Sequence, residues 1–365
     1  MRQIFGKLTK ELLEHTSPKK VGKDFGYKVT KFSHLVEHIA KLSHLNKDYL
    51  LFFRGQNNDY RNKADASTFY PSIYRGERIT QAELNYRFDM LNSASKMLSQ
   101  EFKREKLEGY TELARKKYIQ WSILQHYEVT GTPLSDVTQS LRVACSFAQM
   151  DNPKSTSFIY VFGLPYYTNR ISINSEHDLV NIRLLSVMPP SALRPYYQEG
   201  YLVGTEDITT DYESKGELDL NRRLIAKFEI PSGLEFWGDG FNKIPKQSLY
   251  PERDILKAIC DQIKDNLKVD VGNHDLGHFL KIWSEVESLL LNRARKYIRD
   301  VYNVRNALLI LMKYEPKVTR VFKELDYLRT FRNKLVHNPV SIEPEELHRQ
   351  TSALENLIAE YKKNS

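Results

Sequence analysis

An α+β fold, with a mixed α/β domain followed by an all-α helical bundle, is the fold class this sequence predicts. Two observations carry the prediction. Short apolar, strand-like runs alternate with helix-patterned segments and irregular loops from about residue 49 to residue 230, which argues against a regular parallel repeat. From about Asp254 onward the strand runs disappear, and amphipathic stretches follow one another with short polar links, as an up-and-down bundle needs. The 365 residues exceed what one compact core usually holds, so two domains are expected, 1–262 and 263–365.

Taken in order, residues 1–26 are polar with Gly and Pro and read as a loosely packed lead-in. Residues 27–46 place Phe32, Leu35, Ile39 and Leu42 at helical spacing. Tyr49-Leu50-Leu51-Phe52-Phe53 is a continuous apolar run, read as a buried strand that stops at Arg54-Gly55. Residues 81–127 form a charged, helix-favouring stretch with apolar faces at Leu84, Phe88 and Leu91, then Met97, Phe102 and Leu107. Residues 139–149 read as a helix opening after Asp136 or Thr138, both competent caps. Residues 157–164, 183–188 and 223–230 are strand-like, the last ending at Pro231, and the acidic tract Gly204–Asp219 reads as a mobile loop. In the bundle, residues 277–301 carry a stripe of Phe279, Ile282, Trp283, Val286, Leu289 and Leu290, and helices follow at 303–313, 317–337 and 344–362.

Composition narrows the function. Charged residues at 27% and hydrophobic residues at 41% suit a globular protein. No stretch approaches the ~18 apolar residues of a membrane span, and charges interrupt the N-terminus every few residues. Cys145 and Cys260 sit in apolar contexts and read as buried thiols, so a cytoplasmic location is expected. A net charge of +8 and a pI of about 9.1 favour polyanionic partners such as RNA. His34 and His38 share a helical face, as do His274 and His278, but no third ligand accompanies either pair, so no metal is expected.

The sharpest chemistry lies at Leu328-Arg329-Thr330-Phe331-Arg332-Asn333-Lys334-Leu335-Val336-His337-Asn338-Pro339. Pro339 cannot continue a helix, so His337 falls at a helix C-terminus, where the helix dipole favours its protonated form. Asn333 and His337 share a face. Arg332 and His337 are five apart and diverge by about 140° on an ideal helix. They meet at one phosphate if the helix loosens or if a second subunit completes the site. RNA can be cut without metal when its 2′-hydroxyl attacks the adjacent phosphate. A histidine then moves the proton and a guanidinium holds the phosphate oxygens. A purely structural role, with Arg332 and His337 binding the last carbonyls of the helix, uses the same residues. Residues 265–365 resemble the HEPN superfamily, whose ribonuclease members carry Arg, four to six residues, then His, often with Asn after the Arg. The resemblance implies catalytic roles for Arg332, Asn333 and His337, no cofactor for RNA cleavage, and a homodimer whose two motifs line one cleft.

Four patches precede it: Phe53-Arg54-Gly55-Gln56; Gln125-His126-Tyr127 with Thr132 to Thr138 and Ala144 to Ala148; Arg194 to Tyr201; and Ser248-Leu249-Tyr250-Pro251. In this order they resemble the FRG domain over residues 28–260. The family's middle motif runs Gln-His-Tyr-Gly, then Thr, Leu-Asp and Thr, then a small-residue helix ending Phe-Ala. Here Glu128 stands for the Gly, one residue is inserted near Thr130-Gly131, and Ser135 stands for a Leu, all of which bear on the local turn. Arg54, Gln125, His126, Asp136, Thr138, Arg194 and Gln198 are polar residues beside apolar runs, so they are either satisfied core groups or a ligand pocket. The strand Arg, the polar junction and the Gln-x-Gly also resemble ADP-ribosyltransferases, although no Glu-x-Glu pair follows Gln198. NAD or another nucleotide is therefore a candidate ligand. The expected protein is an RNA-cutting effector governed by an FRG-like sensor. Such pairings imply a toxin or antiviral defence role with a phage- or stress-derived trigger. Two alternatives remain: the FRG-like domain as the enzyme with a helical RNA-gripping partner, and a non-catalytic scaffold.

Overall fold

The computed structural model describes residues 1–76, 79, 81–206, 214–337 and 342–363, without the side chains of 81–83, 268–274, 337, 344 and 362–363. The chain divides into two units, one of Met1–Ile79 with Arg87–Ile263 and one of Thr80–Tyr86 with Lys264–Ser365.

The first unit is built on a mixed sheet. Its strands are β1 (Tyr27–Lys28), β2 (Leu50–Gln56), β3 (Ser135–Thr138), β4 (Thr156–Leu164), β5 (Ile171–Asn174), β6 (Leu179–Arg183), β7 (Gly200–Gly204) and β8 (Leu224–Pro231). They lie in the order β1-β8-β4-β2-β3-β7-β6-β5. Every pairing is antiparallel except β1 with β8. The central strand β4 is apolar along nearly its whole length and buried throughout its second half, as a strand covered on both faces must be. Strand β2 pairs with it from Leu50↔Leu164 to Gln56↔Phe158. The expected strand at 49–53 therefore continues two residues beyond Arg54.

The helices of this unit are α1 (Lys10–His15), α2 (Phe32–Leu45), α3 (Gln81–Arg104, the first residues of which belong to the other unit), α4 (Tyr110–Leu113), α5 (Lys117–His126), α6 (Leu141–Ala148), α7 (Leu184–Val187), α8 (Arg194–Gln198) and α9 (Lys246–Leu249). Four expectations need correction. The lead-in is packed: Met1, Ile4, Leu8 and Leu12 are buried in the main core, and the Ile4 amide donates to Arg222. Asp136 and Thr138 belong to β3, and Ser140 is the residue that precedes α6. The run at 183–188 is helix α7 rather than a strand, because a short apolar run satisfies either period and the chain leaves the sheet at Arg183. Within the tract 204–219, Leu218 and Asp219 are buried, and Asp219 accepts from the Phe69 amide at 2.8 Å and the Thr68 hydroxyl at 2.7 Å, while 207–213 lie outside the described residues.

The second unit is helical. Helix α10 (Ile255–Ala294) starts in the first unit and continues into the second, followed by α11 (Val304–Tyr314), α12 (Thr319–His337) and α13 (Pro344–Lys363). The amphipathic stripes read from the sequence fill its core: Phe279, Trp283, Val286 and Leu290 from α10, Leu308 and Leu311 from α11, Phe322, Leu325 and Phe331 from α12, and Leu354 and Leu357 from α13. Asn303 caps α11, accepting from the Asn306 amide at 2.8 Å. Both cysteines are buried and unpaired. Among the described residues no helix is long and apolar enough to cross a membrane.

Candidate functional site

The site is assembled around Gly55. A Cβ there would stand 1.8 Å from the carbonyl oxygen of Ala144 and 2.9 Å from the amide of Ala148. Helix α6 thus lies with its backbone against β2, and the small residues Ala144 and Ala148 make room for that approach. Strand β2 is flanked by β4 and β3, with Arg54 opposite Tyr160 and Phe53 opposite Thr138. The Arg54 guanidinium reaches the neighbouring strand and donates from Nη1 to the main-chain oxygen of Asp136 at 2.8 Å. Burial depresses the pKa of Arg54, and Asp136 opposes that shift.

The last turn of α5 holds the Asp136 side chain. Gln125 is fixed by the Thr132 and Ser72 hydroxyls, which donate to its Oε1 at 2.6 and 2.9 Å. Its Nε2 then donates to Asp136 Oδ2 at 2.8 Å. His126 Nδ1 stands 3.7 Å from Asp136 Oδ1. Burial would raise the Asp136 pKa, but His126, Gln125 and Arg54 outweigh it and hold the carboxyl below its usual range. After α5 the chain turns at Glu128, whose φ of 57° is left-handed. This is the position where the FRG motif has Gly, and the conformation explains that preference.

Arg194, at the start of α8, is buried. Its Nη1 donates to the His126 carbonyl at 2.6 Å, and its guanidinium lies 4.3 Å from the centre of the Tyr250 ring and 5.3 Å from that of Tyr127. Tyr127 in turn donates to Asp254 at 2.7 Å. Gln198 Nε2 donates to the Leu249 carbonyl at 2.8 Å. The Thr138 hydroxyl donates to the carbonyls of Gln198 and Glu199 at 3.2 and 3.0 Å and accepts from the Ser140 amide at 3.1 Å. Thr138 and Gln198 thus tie β3, α8 and α9 together.

All seven polar residues singled out in the sequence line a single cavity of about 1090 Å³ within the first unit. Its walls also include residues the sequence reading missed: Tyr60, Arg61 and Lys63 from the segment after β2, Tyr70 and Arg75 before α3, and Lys215. None belongs to a motif, and Lys215 falls in the tract read as a loop. Six cationic residues (Arg54, Arg61, Lys63, Arg75, Arg194 and Lys215) and two carboxylates, Glu128 and Asp136, line it together with Tyr60, Tyr70 and Tyr250, and Arg61 is ion-paired with Asp59 and Asp65 outside the lining. The buried Nε of Arg54, Nε of Arg194 and Nε2 of His126 have no hydrogen-bond partner among the described residues. Such a cavity suits an anionic ligand with a flat or ring-shaped part.

In the second unit, Arg332 and Asn333 sit half-buried in the last turns of α12, and Arg332 Nη1 donates to Asn333 Oδ1 at 3.2 Å. Their neighbours Phe331 and Leu335 are buried in the bundle core. The main chain of His337 ends the helix, and its side chain lies outside the described residues, as do residues 338–341. The side chain of His274, from the second histidine pair, lies outside them too, whereas His278 pairs with Glu355 at 3.2 Å. Among the described residues no group of three or more His, Cys, Asp or Glu is placed to hold a metal ion.

The fold and cavity define an α+β domain that encloses a cavity, followed in the chain by a helical bundle. Residues 50–157 match the FRG domain model, and the chain carries an FRG domain there. The match takes in Arg54, Gln125, His126, Asp136 and Thr138, while Arg194 and Gln198 lie beyond it. No curated protein and no solved structure matches the chain.

Proposed function

We propose that the FRG-bearing unit is a receptor for a phosphate-bearing, nucleotide-sized ligand, and that it governs an RNA-cutting helical unit. The observation that carries the receptor reading is the cavity of about 1090 Å³, with its six cations against two carboxylates. Its volume suits a nucleotide, and NAD belongs among the candidates. A thermal-shift screen of nucleotides and NAD against the wild type and Arg54→Ala tests it. The ligand raises the wild-type melting temperature in proportion to the logarithm of its concentration and leaves Arg54→Ala unmoved. A wild type that no phosphate compound stabilises refutes the receptor reading. Release of nicotinamide from NAD in the same samples would instead favour a transferase in this unit.

The output is assigned to Arg332, Asn333 and His337. In this reading His337 moves the proton of the RNA 2′-hydroxyl, Arg332 neutralises the phosphate as charge builds, and Asn333 orients Arg332 through their hydrogen bond. No metal is required. Support comes from the four-helix order, from the motif's place at the end of the third helix, and from the half-buried Arg332–Asn333 pair. A homodimer through the bundle would set two motifs across one cleft. A toxin or antiviral defence role, with RNA as the target, is the biological setting such a pairing suits.

A further inference from the structure

We propose that the cavity selects ribonucleotides over deoxyribonucleotides, with the Asp136 carboxylate receiving the sugar hydroxyls while the surrounding cations take the phosphates. This deepens the receptor reading and rests on it.

Asp136 is unlike the other polar residues of the cavity wall. Arg194 and Gln198 are buried and each donates to a main-chain carbonyl, with a donor, Arg194 Nε, left over. Thr138 is likewise spent on the backbone. The Asp136 side chain keeps 44% of its surface exposed, although its strand lies inside the sheet and its carboxyl lines the cavity. Its anchoring is one-sided. Oδ2 accepts from Gln125 at 2.8 Å, while the nearest histidine nitrogen stands 3.7 Å from Oδ1, beyond hydrogen-bond length. A carboxylate offers about four acceptor sites, so Oδ1 keeps capacity for a donor arriving from the cavity. Gln125 is itself clamped by Ser72 and Thr132, so the carboxylate is held in place before any ligand arrives.

Charge decides which part of a ligand can reach it. The neighbours that hold Asp136 below the usual carboxyl range keep it ionised at neutral pH. An ionised carboxylate repels phosphate and accepts only from donors. In a phosphate-rich ligand the donors are sugar hydroxyls and base amines. A ribose presents two adjacent hydroxyls at a spacing that matches the two oxygens of one carboxylate. An acidic side chain on a ribose 2′-hydroxyl is a recurring solution in nucleotide sites. The phosphates then fall to cations such as Arg75, which is exposed at the cavity wall and close enough to Arg54 to lower its pKa.

Titration calorimetry on the full chain tests this with ATP, GTP, CTP and UTP, their 2′-deoxy counterparts, and inorganic tripolyphosphate. At least one ribonucleotide should bind roughly tenfold tighter than its 2′-deoxy form, the scale of one hydrogen bond to a charged group. Asp136→Asn keeps the shape and an oxygen for Gln125, and should bring the two forms within about threefold without weakening tripolyphosphate binding. A melting curve checks that this variant folds; if it does not, the wild-type ratio alone decides. Equal binding of ribo and deoxy forms by the wild type overturns the selection and leaves the receptor reading standing. So does an undiminished ratio in a folded Asp136→Asn protein, or a preference that follows the base alone. Binding of neither nucleotides nor tripolyphosphate overturns both readings.

Discussion

Glu128 occupies a backbone conformation that costs a side chain about 1–2 kcal/mol, with φ at 57°. Its charge partner among the described residues, Arg194, stands 3.8 Å away, and Glu128 is largely exposed, so little is recovered. Glu128→Gly should therefore stabilise the protein, raising the melting temperature by about 2–4 °C per kcal/mol relieved; a lower melting temperature would show that Glu128 holds the turn. A second residue-scale effect is buried. Lys227, 1% exposed at its side chain, pairs with Asp59 at 3.1 Å, and Ser67 and Tyr160 also donate to Asp59. Burial would raise the Asp59 pKa, but the Ser67 and Lys227 contacts outweigh it and lower it. A carboxyl depressed in the folded state adds stability above its unfolded value of about 3.9. That contribution is lost as pH falls through the folded value. Asp59→Asn should lower the neutral-pH stability by about 3–5 kcal/mol, because Lys227 is left buried and unpaired. The variant's melting temperature should also fall less steeply with acid than the wild type's. The Gly at the FRG position and the departure at Glu128 were both legible as motif letters. The Asp59–Lys227 pair was not, because nothing local marks two residues 168 positions apart as partners.

Among the elements, α12 carries the clearest test. His337→Ala should abolish cleavage of mixed RNA in excess chelator with an unchanged circular dichroism spectrum. Cleavage that persists undiminished removes the site, and cleavage that requires Mg²⁺ removes the metal-free route. The later bundle helices were readable from apolar spacing because each buries one stripe, and helices at 303–313 and 317–337 fall within two residues of α11 and α12, whereas the helix expected at 277–301 runs Ile255–Ala294. The strand β2 and the strand β4 were readable for the opposite reason, each carrying a continuous apolar run, Leu50–Phe53 and Phe158–Phe162. What failed were short segments. Leu184–Val187 is too brief to show a period, and the polar pair Asp136 and Thr138 suited a cap as well as a strand edge. The seven cavity residues were legible because each adjoins an apolar run. Arg61, Lys63, Arg75 and Lys215 were not, since a surface cation looks alike in any loop.

For the whole molecule, the homodimer is the prediction that matters most. The bundle exposes Leu309 on α11 and Tyr327 and Val336 on α12, and Val336 lies one turn beyond Arg332. Light scattering on the full chain should give twice the mass of one chain, and Tyr327→Glu should reduce it to one. A monomer that still cuts RNA refutes the shared cleft. The order of the sheet carries a different consequence, one in time. Strand β1 pairs with β8 in register Tyr27↔Phe228, and β2 leans along its whole length on β4. A chain emerging from the ribosome therefore holds Ile4, Leu8 and Leu12 without the β8 part of their core until Leu224–Pro231 has been made. Contacts so distant in sequence are slow to close, and the exposed apolar segment is a natural client for a chaperone in the interval. Synthesis stalled between β4 and β8 would leave a chain with its first strand unpaired, open to proteolysis rather than to ligand.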